Sequence, residues 1–334
     1  MQQTTLSTMK AVVVDAYGSP QNARLTDVDT PKVKDGYLLV RMHAAALNAF
    51  DYKIVTGMVK EWWPINFPYI PGMDGAGEVV DVGGGVQNWR KGDAVLAHFP
   101  GGAFAQYALI PADDNKQAIK ANALDFGMLA IKPDALDFGH AAAIPESGLT
   151  AKTMVRAGGL KAGQTVLIIG ATGGVGLFAV QLAKAEGVRV VATGGAKDEE
   201  YLRELGADDV IDYAGGDTIT QMIQRYPTGI DAVFDLINMG DALLRDADVL
   251  RESGTLVSSL SGPDQGAFKK NLNVRYVQLT AHDGDLDDLA RRAADGKLRV
   301  EIARTYDLAQ APQALFDLTD RAKHTRGKLV IKIP

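Results

Sequence analysis

Gln164-Thr-Val-Leu-Ile-Ile-Gly-Ala-Thr-Gly-Gly-Val-Gly-Leu-Phe-Ala-Val-Gln-Leu-Ala-Lys184 decides the fold. Val166 to Ile169 form a β-branched-rich apolar run, as a central parallel strand requires. Ala171, Gly173 and Gly176 then fall on the spacing of a dinucleotide-binding turn, with Ala in place of the first Gly. Such a turn lets backbone approach a pyrophosphate, and a small residue at Gly176 lets helix and strand pack closely. The helix N-terminus offers unpaired N–H groups and a positive dipole end to the anion. Val175, Ala179, Leu182 and Ala183 share one helical face, which is expected to cover the sheet. A glycine turn alone says little, but a second strand follows at Val188-Arg-Val-Val-Ala-Thr193.

Working outward, 334 residues suffice for two domains, each with its own core. A net charge of −6 and the lack of a basic stripe argue against nucleic acid as a partner. No apolar run is long enough to span a membrane. Met1-Gln-Gln-Thr-Thr-Leu-Ser-Thr reads as a loose polar tail, not a signal peptide. With no cysteine, disulfides, thiolate zinc sites and cysteine nucleophiles are excluded, which is compatible with a reducing, cytoplasmic setting.

From about residue 10 to 112, short alternating strands separated by Gly, Pro and Asp have the texture of a β-barrel-like domain. From about 148 to 284, strands are expected at 165–169, 188–193, 209–212, 231–237, 255–260 and 274–280, with helices between them. That pattern is α/β, a doubly wound parallel sheet. Helices are expected at Leu286 to Asp295 and at Ala309 to Lys323. The last strand, Lys328-Leu-Val-Ile-Lys-Ile333, has no sheet of its own nearby and is expected to return to the first domain. Ile119–Gly127 echoes Ile131–Gly139; it reads as a local duplication, with a lid as the alternative.

Ala46-Leu-Asn-Ala-Phe-Asp-Tyr-Lys53, Pro71-Gly-Met-Asp-Gly-Ala-Gly-Glu-Val79, Gly102-Ala-Phe-Ala-Gln-Tyr107, Ala141-Ala-Ala-Ile-Pro145, Gly148-Leu-Thr-Ala151 and the Gly170–Gly176 loop add up to a pattern. The chain resembles the zinc-independent quinone oxidoreductases of the medium-chain dehydrogenase/reductase superfamily, from Met9 to Pro334. The resemblance implies a GroES-like β-barrel catalytic domain (10–147 and 285–334) plus a Rossmann domain (148–284). Zinc-dependent relatives hold their metal with a Cys, a His and a second Cys or an acid. Those positions fall here on Asn48, Met73 and Glu146, and the four-cysteine structural lobe is missing. An amide, a thioether and one carboxylate make a poor Zn²⁺ site, and the histidines at 43, 98, 140, 282 and 324 are scattered, so no metal is expected.

NAD-specific Rossmann domains place an acid at the end of the second strand to bind the ribose 2′-OH. Here Gly194 takes that position, leaving room for a 2′-phosphate, and Lys197 can supply a charge-assisted hydrogen bond. The resemblance adds Tyr213 beside that phosphate and Lys323 or Arg326 to complete its pocket. The reading is therefore NADPH, with Ala171, Thr172, Gly173, Gly174 and Val175 against the pyrophosphate. The competing reading makes Asp198 the ribose ligand; Asp198 is better placed to cap a helix at Glu199–Leu205.

Without zinc, alcohol oxidation lacks its Lewis acid, whereas quinones and α,β-unsaturated carbonyls accept hydride directly. Asn48 is the candidate polar contact to nicotinamide or substrate oxygen, with a structural role in the turn before Asp51 as its equal rival. Tyr52 and Lys53 are candidate proton donors or oxyanion partners; neighbours on a helix point different ways, so at most one lines the site. The resemblance places Thr150 near the nicotinamide, and Ser259 and Leu260 flank it at a strand's carboxyl end. Trp62, Trp63, Phe67 and Tyr69 form either an apolar wall for a flat substrate or plain core. Glu146 has no assigned role. Rival functions are an enoyl-thioester reductase and a non-catalytic NADPH-binding sensor. An apolar sixth strand at the sheet edge predicts a homodimer.

Overall fold

The computed structural model describes residues 7–112, 128–320 and 326–334. The chain divides into two compact units, Met1–Glu146 with Leu286–Pro334, and Ser147–Asp285.

The first unit opens with an antiparallel pair, β1 (Thr8–Val13) and β2 (Arg24–Asp29). Its larger sheet grows around β3 (Tyr37–Ala46), a strand apolar on both faces, with Leu38 and Val40 fully buried. After β3 comes α1 (Ala49–Thr56), which Gly57 ends in the left-handed conformation that glycine adopts without strain. Then follow β4 (Asp74–Val82), β5 (Ala94–His98), β6 (Tyr107–Pro111) and β7 (Met128–Ile131). β3 pairs with both β4 and β6, and β5 bridges β4 to β7, all antiparallel. A side chain at Gly77 would press into the Arg41 carbonyl, so glycine there permits the close approach of β3 and β4. The short helix α2 (Phe138–Ala142) starts at Asp137, whose carboxylate accepts from the His140 N–H at 2.9 Å. This capped turn belongs to the second copy of the sequence echo; the first copy lies outside the described residues.

After α3 (Pro145–Gly158), the second unit alternates β8 (Thr165–Ile169), α4 (Gly174–Ala185), β9 (Arg189–Gly194), α5 (Glu199–Glu204) and β10 (Asp209–Asp212). It continues with α6 (Thr218–Arg225), β11 (Ile230–Asp235), α7 (Gly240–Asp246), β12 (Leu250–Ser258) and β13 (Asn273–Tyr276). All six strands are parallel, in the order β10-β9-β8-β11-β12-β13. The apolar run read as a central strand is β8, with Val166, Leu167 and Ile168 fully buried. The order reverses beside β8, and the carboxyl ends at such a point are where open α/β sheets bind ligands. β13 is shorter than the expected 274–280, because Thr280 leaves the ladder. The Thr153 hydroxyl donates to the Thr280 carbonyl at 2.9 Å and accepts its N–H at 3.1 Å.

The chain then forms α8 (Asp285–Ala294), β14 (Ile302–Asp307), α9 (Ala311–Asp317) and β15 (Lys328–Lys332). α9 is shorter than the expected 309–323: it opens from a tighter turn at Leu308–Gln310 and is already capped at Leu318. β15 joins the first unit's sheet, parallel to β14 and antiparallel to β3. Leu38, Val40, Phe99, Phe104 and Ile331 thereby share one core drawn from both ends of the chain. Among the described residues, no helix is long and apolar enough to cross a membrane.

Candidate active site

Strand register gathers a buried polar cluster at one end of the first unit's sheet. Asp74 opens β4 and lies opposite His98, the last residue of β5. Ala46 pairs with Asp74 on one side and with Val330 on the other. Two residues past Ala46, at the start of α1, Asn48 meets Lys328, the first residue of β15. Three strands and the turn after β3 thus deliver Lys328, Asp74, His98 and Asn48 to one place.

Asp74 is fully buried and both of its carboxylate oxygens have partners. It accepts from Asn48 Nδ2 at 2.9 Å, meets His98 Nδ1 at 3.0 Å, and accepts the Glu146 backbone N–H on both oxygens at 3.1 Å. The Lys328 ammonium donates to Asn48 Oδ1 and lies 3.8 Å from Asp74 Oδ2. Asn48 and Asp51 close the start of α1 reciprocally: the Asn48 N–H donates to Asp51 Oδ2 at 2.8 Å, and the Asp51 N–H donates to the Asn48 carbonyl at 3.1 Å. Glu146 Oε2 and Asp51 Oδ1 are buried without a hydrogen-bond partner.

These carboxyls do not titrate as they would in water. Burial, reinforced by the Asp74 charge, pushes Glu146 up to about 8 and Asp51 up to about 7, despite hydrogen bonding and the nearby Lys328 charge. Burial opposes a charged His98, but the hydrogen bond and charge of Asp74 outweigh it and raise its pKa. Near neutral pH Glu146, and in part Asp51, therefore hold a proton that an exposed carboxyl would have lost.

Asn48 and Asp51 belong to this cluster, whereas Tyr52 and Lys53, half-buried on α1, send no hydrogen bond into it among the described residues. The cation that enters is Lys328. Sequence reading missed Lys328, Asp74 and His98; the available signal was a charged or polar residue at one end of each of β15, β4 and β5. His98, expected at the surface or locally bonded, is bonded but 7 % exposed. Met73 is 2 % exposed and packs with Ile54 and Val59. Trp63 and Tyr69 join that apolar cluster, while Trp62, stacked on Phe50 at 5.6 Å, is 59 % exposed and Phe67 is also exposed.

In the second unit, Gly173, the N-cap of α4, makes no side-chain hydrogen bond to the first-turn amides. A side chain at Gly176 would collide with the backbone of Gly170 and Ala171, whereas one at Gly173 would meet only the Gly170 carbonyl at an ordinary 3.5 Å. Thr172 is buried and Val175 half-buried beside them. Gly194 ends β9, but a side chain there would point at Leu202, so its smallness serves α5 packing. It is Gly195 whose missing side chain would face the Tyr213 hydroxyl at 3.5 Å. Lys197 and Tyr213 are exposed. Asp198 does not cap α5 with its side chain, contrary to expectation. Ala196–Asp198 wind into a tighter turn, and the 2 %-exposed carboxylate accepts the Gly195 N–H at 3.3 Å.

Ser259 and Leu260 follow β12, where the Ser258 hydroxyl accepts the Leu260 N–H at 3.0 Å. Thr150 is half-buried on α3. Arg326 is engaged by Glu301 at 3.8 Å, and Lys323 lies outside the described residues.

Residues 34–121 match the family model for the alcohol dehydrogenase GroES-like domain, and residues 205–331 that for a zinc-binding dehydrogenase. The chain is 32% identical over 343 residues to the chloroplast envelope quinone oxidoreductase homolog of Arabidopsis thaliana, covering 97% of this chain and 98% of that protein. The chain belongs to the quinone oxidoreductase family of the medium-chain dehydrogenase/reductase superfamily. Another member, the quinone oxidoreductase of Sus scrofa, is 30% identical, with 97% of each chain covered. A quinone oxidoreductase structure from Coxiella burnetii superposes with a TM-score of 0.85 at 31% identity, covering 98% of this chain and 100% of that one. The first unit thus contains this family's GroES-like domain and the second its Rossmann sheet, in an oxidoreductase fold.

The zinc of the wider superfamily does not fit the residues present. Of the three expected ligand positions, Asn48 is bound to Lys328 and Asp74, Met73 is sunk in apolar packing, and only Glu146 keeps an open oxygen. Asp74, His98 and Glu146 do bring three ligand atoms within 4.8 Å of one another. The Lys328 ammonium, however, stands 3.8 Å from Asp74 Oδ2 and donates to Asn48 Oδ1.

Proposed function

We propose that this chain is an NADPH-dependent reductase that passes hydride to quinones or α,β-unsaturated carbonyls without a metal. The observation that carries the reading is the turn after β8. Gly173 sits where the fold itself tolerates a side chain, and α4 begins with uncapped amides. A glycine the protein does not need for packing, at a helix N-terminus with no N-cap side chain, suits a pyrophosphate. NADPH, when bound, supplies the hydride.

The chain's own residues hold and orient. Thr172 to Val175 bind the pyrophosphate, and Ser259, Leu260 and Thr150 flank the nicotinamide. Lys197 and Tyr213, both exposed, flank the end of β9 for the 2′-phosphate. The buried, bonded state of Asp198 supports NADPH over NADH, because it removes the one acid that competes for the ribose. Asn48 keeps one Nδ2 hydrogen beyond its bond to Asp74, enough to orient a carbonyl oxygen. Tyr52 or Lys53 can serve as a further polar contact. An acceptor already conjugated needs orientation and charge stabilisation more than a Lewis acid, and exposed Trp62 and Phe67 offer it flat apolar surface.

The test is NADPH oxidation against a quinone panel, an enone panel and an enoyl-thioester panel. Turnover with the first two supports the reading; turnover confined to thioesters, or tight NADPH binding with no turnover at all, overturns it.

A further inference from the structure

We propose that the Lys328 ammonium is the fixed cation of the Asn48–Asp74–His98–Glu146 cluster and takes the place of a divalent metal, excluding one while it is there. Three observations carry this. Lys328 is 5 % exposed, and its ammonium donates to Asn48 Oδ1 while lying 3.8 Å from Asp74 Oδ2. Asp74, His98 and Glu146 hold one nitrogen and two oxygen ligand atoms within 4.8 Å of one another, a donor set that zinc and cobalt accept. Glu146 Oε2 and Asp51 Oδ1 are sealed from solvent with no hydrogen-bond partner. A positive charge stabilises a buried cluster that contains the Asp74 carboxylate, and here the chain supplies one in Lys328.

The ammonium excludes a metal in two ways. It occupies the Asn48 carbonyl oxygen, the remaining neutral donor, and it would repel a dication at contact range. Its delivery is built into the fold: β15 pairs with β3, the Leu47 N–H donates to the Leu329 carbonyl just past the ladder, and Lys328 meets Asn48 one residue on. Lys328 is therefore a positioning residue, holding the Asn48 amide and the Asp74 carboxylate in one arrangement.

The claim deepens the metal-free reading above, but its test uses neither cofactor turnover nor an acceptor, so the two fail separately. Chelator-treated wild type and Lys328→Met are titrated with Co²⁺, followed by visible absorption and calorimetry. Wild type is expected to take up no stoichiometric Co²⁺. Lys328→Met is expected to take up one per chain, at least about tenfold more tightly, with bands of mixed nitrogen and oxygen ligation. Adding His98→Ala to Lys328→Met abolishes that uptake. Wild-type uptake within tenfold of the variant, or a folded Lys328→Met without uptake, overturns the claim. Lys328→Gln repeats the test with a polar neutral side chain. Stoichiometric Co²⁺ uptake by the wild type overturns the claim whatever the variants do.

Discussion

Glu146 carries the most consequential single-residue chemistry. Its carboxyl titrates at about 8 in the fold against an ordinary 4.5. Between those values the folded chain binds the proton and the unfolded chain does not, so this group's stabilising contribution is full below 4.5 and is lost as pH rises through about 8. Glu146→Gln removes that dependence. Thermal denaturation across this interval should show wild-type Tm falling more steeply with pH than that of the variant; parallel profiles would contradict the assignment. Lys197 tests the coenzyme phosphate. A charge-assisted hydrogen bond is worth about 1.5–3 kcal/mol, so Lys197→Ala should weaken NADPH binding roughly ten- to a hundredfold and NADH binding hardly at all. Equal losses by calorimetry would refute it.

Among the elements, the β8–turn–α4 unit was the most legible in the sequence. Its signals are local: four apolar residues, a glycine spacing and an amphipathic face within twenty-one residues. Gly176 shows why. Its missing side chain leaves room for the Gly170 carbonyl and the Ala171 backbone, and backbone cannot swing aside. Gly176→Ala should displace the start of α4, cost about 1–3 kcal/mol by chemical denaturation, and weaken NADPH binding. Unchanged midpoint and affinity would contradict the packing. The polar cluster was largely illegible, because it is built by register rather than by motif. Asn48 and Lys328 are 280 residues apart and Asp74 and Glu146 are 72 apart. No window of sequence shows that β15 lies against β3, or that Lys328, not the nearer Lys53, is the cation beside Asn48. Asp198 was misread for a local reason: a tight turn redirected a carboxylate that composition had assigned to a helix cap.

At the scale of the whole molecule, the C-terminal segment completes the first unit, so both ends of the chain build the polar cluster. β13 stands at the edge of the parallel sheet, paired on one side only by β12 among the described residues. An unpaired edge favours association with a second copy. Sedimentation at micromolar concentration should report a homodimer. A monomeric wild type would exclude that assembly.

The proposed chemistry is hydride delivered by NADPH to a conjugated acceptor, with Lys328 proposed to stand where a metal would otherwise sit. The most direct test is the loss of reduced-nicotinamide absorbance with a quinone, measured before and after exhaustive chelation. Turnover that is NADPH-dependent and unchanged by chelation is predicted. Turnover abolished by chelation and restored by Zn²⁺, or no binding of NADPH at all, would contradict it.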